Sequence, residues 1–132
     1  MKINGILIPS SANNTGCFGI TIDGGGSVIT TGLKGYIQIP YNCTITGWIV
    51  LPDQNSSIVV DVWKQTLINF PPTVNDSIAG NEKPTVLSGN YGQDLDLTTW
   101  TTNVAADDII AFNVDSASVV TRATIQILTT RT

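Results

Sequence analysis

Ten carboxylates, two thiols and no imidazole make up the reactive side chains of this 132-residue sequence. Without histidine, Ser-His-Asp and Cys-His nucleophilic catalysis are excluded, and most catalytic zinc sites go with them. Asp94 and Asp96 stand two apart, and Asp107 and Asp108 follow in a loop-rich region. Calcium favours clustered oxygens, but the EF-hand spacing is absent and no Glu completes a site. These groups read as solvated loop carboxylates, some of them capping turns. A glycosidase pair needs one carboxyl tuned as an acid opposite another across a cleft. A body this small has little room for a cleft beside a core. Asp23-Gly24-Gly25-Gly26-Ser27 lacks the Lys and the following Ser/Thr of a phosphate-binding loop, and no helix follows it. It reads as a turn that needs positive φ. The expectation is therefore a protein that is not an enzyme, with no catalytic residue, cofactor or metal.

Cys17 and Cys43 form neither a disulfide framework nor a CxxC pair. Two free thiols in a reducing cytosol are expected, with a single bridge as the alternative. Asn-x-Ser/Thr occurs at Asn13, Asn42, Asn55 and Asn75, as chance allows in a chain this rich in Asn and Thr. The aromatic residues Trp48, Trp63, Trp100, Tyr36, Tyr41 and Tyr91 have three uses. They fill a core or a subunit interface, lie under a loop, or stack on sugar rings. Trp63 matters most: it shares a strand face with Val59, opposite Ile58, Val60 and Val62. Both faces of that strand are apolar, and an apolar outer face suggests a protein contact.

The elements that must position these residues are strands. Charged residues make up 12% of the chain, about half the usual share of roughly 25%. Neutral groups carry the polarity instead: 18 Thr, 11 Asn and 9 Ser. Such a surface hydrogen-bonds on contact without stripping water from full charges, which suits permanent packing. The net charge is −4 and the six Lys and Arg are scattered, which argues against nucleic acid as a partner. No apolar run approaches the ~20 residues of a membrane span. The opening Met1–Pro9 is no secretory signal, because Gly5 and Pro9 cut its apolar stretch short.

Ile, Val and Thr supply about a third of the residues, and no window has helical periodicity. Extended segments are expected at 18–22, 28–31, 35–39, 43–51, 57–65, 94–102, 109–114 and 119–128. Cys43, Ile45, Ile49 and Leu51 are assigned to one face of their strand, and Thr44, Thr46, Trp48 and Val50 to the other. Ile110, Phe112 and Val114 point inward, with Ala111 and Asn113 outward. Val119, Thr121, Ala123, Ile125 and Ile127 form the last apolar row. Residues 43–65 and 109–128 each read as a hairpin, joined by a long ordered excursion over 66–93. The fold class expected is all-β: an antiparallel two-sheet β-sandwich of jelly-roll type. Residues 1–17 read as an N-terminal arm and 18–132 as the sandwich.

Several runs carry a family likeness. Ile20-Thr21-Ile22-Asp23-Gly24-Gly25-Gly26-Ser27 and Ile29-Thr30-Thr31-Gly32-Leu33-Lys34-Gly35-Tyr36-Ile37 resemble a domain of tailed-bacteriophage virion proteins. The likeness continues through Cys43-Thr44-Ile45-Thr46-Gly47-Trp48, Asp61-Val62-Trp63-Lys64 and Phe70-Pro71-Pro72-Thr73-Val74-Asn75-Asp76-Ser77-Ile78. It resumes at Lys83-Pro84 and Ile110-Ala111-Phe112-Asn113-Val114-Asp115-Ser116, and so covers about 18–132. The resemblance implies an antiparallel sandwich, commonly trimeric, attached to tail or fibre proteins or serving as capsid cement. It carries no catalytic residue.

A short apolar-tipped arm and no fibre shaft before the domain favour a homotrimeric capsid decoration protein. The partners expected are further copies of the chain and the major capsid protein, with no nucleic acid and no membrane. The protein is expected on the capsid exterior of the virion, after synthesis in the bacterial host cytoplasm. The candidate contact residues are Ile6, Leu7 and Ile8 on the arm and Val59 and Trp63 on the sandwich. The alternative is a tail-tip receptor-binding or carbohydrate-binding module, with a glycan stacked on exposed rings such as Tyr91 or Trp100.

Overall fold

The computed structural model describes residues 14–132 and, before them, the backbone of Lys2, Ile3, Ile6 and Leu7. Those four residues form two paired strands, β1 (Lys2–Ile3) and β2 (Ile6–Leu7). The body holds β3 (Thr15–Asp23), β4 (Gly32–Gln38), β5 (Cys43–Pro52) and β6 (Ser56–Gln65). After a long excursion come β7 (Thr85–Gly89), β8 (Gly92–Asp94), β9 (Asn103–Val104), β10 (Ile109–Ser118) and β11 (Arg122–Arg131). Branched side chains dominate these segments, as a pleated and half-buried surface favours.

Two antiparallel sheets pack face to face. One runs β3-β11-β5-β8, with β9 also on β5; the other runs β4-β10-β6-β7. Each consecutive pair β3/β4, β5/β6, β7/β8 and β10/β11 divides between the sheets. That connectivity is the jelly roll. It also corrects the two expected hairpins. The segments 43–65 and 109–128 are arches from one sheet to the other, and β5 and β10 find their partners far along the chain. A short polar turn serves a hairpin and an arch equally well, so its composition does not distinguish them.

The arches are bonded to one another at one end of the sandwich. Asp53 N–H donates to Arg122 O at 2.8 Å, and the Asp53 carboxylate accepts from the Thr121 N–H and hydroxyl. Gln54 Nε2 donates to Val119 O, while Gly24 N–H and Ile29 N–H donate to Thr121 O and Val120 O. Val119 sits at φ 75° and is exposed, and Val120 is buried in its place. The expected row beginning at Val119 therefore starts at Ala123.

Ile58, Val60, Val62, Ile110, Phe112, Val114, Ile125 and Ile127 fill the space between the sheets. The expected faces of β5 are wrong beyond Thr46. Opposite β11, Gly47 pairs with Leu128 and Ile45 with Thr129, so Thr46 is an extra residue in the ladder. This bulge reverses the alternation. Cys43 and Ile45 are buried before it and Trp48 and Val50 after it, leaving Leu51 exposed. Residues 28–31 and 95–102 are not strands, although Ile29 and Trp100 are buried there. β3 begins at Thr15, so the sheet takes in the last three residues of the stretch read as an arm.

Candidate interaction surface

The segment between β6 and β7 folds back over the outer face of β6. Asp61 points outward from β6 yet is only 1% exposed. Its Oδ1 accepts from Val62 N–H at 2.9 Å and from Ser77 Oγ at 2.6 Å. Its Oδ2 accepts from Trp63 Nε1 at 2.9 Å and lies 3.7 Å from Lys83 Nζ. Lys83 in turn reaches Asp115 Oδ2 at 2.7 Å, and this contact holds the ammonium pKa above its ordinary value. Backbone bonds complete the attachment: Ile78 N–H to Val62 O and Val60 N–H to Pro84 O. A desolvated carboxylate is tolerated there because its oxygens are fully partnered.

The pinned segment carries its own apolar side chains outward. A single 3-10 turn at Leu67–Asn69 is followed by another at Val74–Asp76. Thr73 and Asp76 close a capping box around the second turn, and Gln65 Nε2 donates to Asp76 Oδ1. Ile68 is 92% exposed, Val74 63% and Leu67 56%. Phe70 packs its ring edge-on against Tyr36 of β4, with centroids 4.8 Å apart, and both rings remain partly open to water. Ala111 lies between Tyr36 and Trp63 in the strand register and is buried. The result is an apolar ridge on a segment tied to the sheet through Gln65–Asp76, Ser77–Asp61 and Phe70–Tyr36.

The expected contact residues fall differently. Trp63 is half-buried beneath the excursion, bridged to Ser77, with its indole N–H consumed by Asp61. Val59 is half-buried on the same outer face, between Thr85 and Ser116 in register. Of Ile6 and Leu7 only the strand β2 is described, and Ile8 lies outside the described residues. Sequence reasoning missed the ridge itself. Its signal was Leu67, Ile68, Phe70 and Val74 clustering around Pro71-Pro72 in a stretch that owes no side chains to a strand face.

The other candidates resolve into structural parts. Asp94 Oδ1 accepts from Asp96 N–H in a turn, and Asp108 is buried, accepting from Ala105 N–H and lying 3.7 Å from Lys64. Among the described residues no group of three or more His, Cys, Asp or Glu is placed to hold a metal ion. Gly25 and Gly26 adopt φ of 68° and 87°, and Gly25 N–H is capped by Asp23. Both cysteines are free; Cys43 is buried, and burial pushes its thiol pKa up. Trp48 and Trp100 are buried, and both donate their indole N–H to Glu82 O. The Glu82 carboxylate accepts from the N–H and hydroxyl of both Thr98 and Thr99, which lowers its pKa to about 2. Tyr91 is exposed at the β7–β8 turn. Comparison of the chain with protein-family models, with curated proteins and with solved structures finds no match.

Proposed function

We propose that this chain is a non-enzymatic structural protein of a bacteriophage virion. It acts as a homotrimeric decoration protein that binds and stabilises the shell of the major capsid protein from outside. The observation that carries this reading is the exposed apolar ridge of Leu67, Ile68, Phe70 and Val74. Apolar side chains clustered on a surface, unlike ones scattered singly, mark interaction sites. A preformed ridge loses little conformational entropy on docking. The stretch 66–81 carries a single charge, Asp76, and so sparse a charge suits a permanent contact.

The test is decoration of phage heads assembled without this chain. The wild-type protein should bind them saturably and raise the temperature at which they release DNA. Ile68→Asp should bind at least 100-fold more weakly while its own melting temperature is unchanged. Failure of the wild-type protein to bind heads overturns the reading.

The second reading, a tail-tip glycan-binding module, retains one of its two expected rings. Trp100 is buried and bonded, but Tyr91 is open to stack on a sugar. Saturable binding on a glycan array that is lost in Tyr91→Ala would favour it.

A further inference from the structure

The sandwich has one edge built unlike the others. Native edge strands are protected by shortness, charge, bulges or proline. β7 has five residues and β8 has three. β4 carries a bulge, because Phe112 pairs with Gly35 and Asn113 with Leu33, and the extra residue is Lys34. β3 has none of these devices. It runs nine residues in unbroken register on β11, without proline, and its single charge is the terminal Asp23. Among the described residues no strand pairs with its other side.

The phase of that ladder is fixed at both ends. Gly24 N–H donates to Thr121 O, and Arg131 N–H donates to Asn14 O. Even-numbered residues of β3 therefore bond to β11. Thr15, Cys17, Gly19, Thr21 and Asp23 turn their N–H and C=O groups away from the sheet. We propose that this edge pairs antiparallel with β3 of a second copy about a two-fold axis through Gly19, joining two sheets into one. The occupant follows from self-complementarity. With Gly19 opposite Gly19, Cys17 faces Thr21 and Thr15 faces Asp23, and every outward residue meets an outward residue. The two Asp23 carboxylates lie at opposite ends, where a parallel pairing would set them side by side.

Two side-chain observations agree. Phe18 and Ile20 pack against the core but remain half-buried at this open edge. In the paired arrangement each faces the other across the axis at a non-hydrogen-bonded position, where side chains approach most closely. On the outer surface, Gly19 underlies a shallow concavity of about 300 Å³ bordered by Cys17, Thr21, Thr124 and Gln126. No side chain obstructs the axis. The pairing is independent of three-fold closure and of shell binding; where a trimer also forms, the assembly contains an even number of copies.

Thr21→Cys tests the register directly. It sets a thiol opposite Cys17 of the second copy, at the Cα separation of about 5.5 Å typical of a hydrogen-bonded pair, which a disulfide can span. Mild oxidation should give a covalent dimer that reductant reverses, whereas Thr46→Cys on β5 should give none. Thr21→Pro removes an outward N–H, no backbone bond to β11 and one exposed hydroxyl contact, Thr21 Oγ1 to Thr124 Oγ1 at 2.9 Å, so the fold should persist and the sedimenting mass should fall two-fold. In the wild-type protein, amide exchange at Cys17, Gly19 and Thr21 should slow with rising concentration. A wild-type mass equal to that of Thr21→Pro, with no covalent dimer from Thr21→Cys, overturns the proposal. Slow exchange at those amides in a monomer also overturns it, because the chain then covers its own edge.

Discussion

Glu82 and Asp61 are the two residues whose removal should be felt furthest from their own positions. Glu82 fastens the 79–84 stretch to Thr98 and Thr99 through its carboxylate, while its carbonyl satisfies both buried indoles. Its pKa falls from 4.5 to about 2 on folding, so the folded state prefers the ionised form. The resulting stability is complete above pH 4.5 and is lost as the pH falls through about 2. Melting temperatures of the wild-type protein should therefore exceed those of Glu82→Gln at neutral pH, and the two should converge near pH 2. Asp61 is a different case because it is fully buried. Asp61→Ala leaves Ser77 Oγ, Trp63 Nε1 and the Val62 N–H without their acceptor. Urea unfolding should register a loss of about 2–3 kcal/mol, with Trp63 fluorescence shifting as the excursion lifts. Neither role is legible in the sequence. Alternation along β6 places Asp61 outward, and an outward aspartate reads as solvated until the cover of 66–84 is seen.

At the scale of elements, composition located the long strands, placed two where there are none, at 28–31 and over most of 94–102, and failed to pair the rest. Residues 43–51, 57–65 and 109–114 are strands because branched side chains recur there, and the structure places β5, β6 and β10 over them. Their partners depend on contacts distant along the chain, such as Ile127 with Trp48, which no local pattern encodes. The faces of β5 turn on one residue. The bulge at Thr46 puts Gly47 against the chain after β8, where a Cβ would sit 2.6 Å from Asp94 O. The bulge and the glycine belong together, since a side chain there would force β8 and Leu95 outward. Gly47→Ala should therefore cost about 1–3 kcal/mol through overpacking, read as a lower urea midpoint. Amides of β8 should lose exchange protection before those of β11. Equal loss in both strands would mean that the close approach is not what limits the site.

Among the described residues several of the few charges are occupied within the molecule. Lys64 pairs with Asp108, Lys83 with Asp61 and Asp115, and the Arg131 guanidinium lies 4.6 Å from the centre of the Tyr41 ring. Apart from Asp76 beside the ridge and Asp23 at the end of β3, the apolar ridge and the β3 edge offer a partner uncharged groups. Contacts made of such groups have a distinct dependence on conditions. Ion pairs between exposed groups are screened within about 10 Å at 0.1 M salt, whereas backbone pairing and apolar burial are not. Hydrophobic association also weakens on cooling. Sedimentation of the wild-type protein should therefore give one mass at about 0.05 M and about 1 M salt, where screening differs most. The association constant should fall between about 25 °C and about 5 °C. Dissociation by salt at constant temperature would place charged side chains in the contact, against the distribution of charge over this surface.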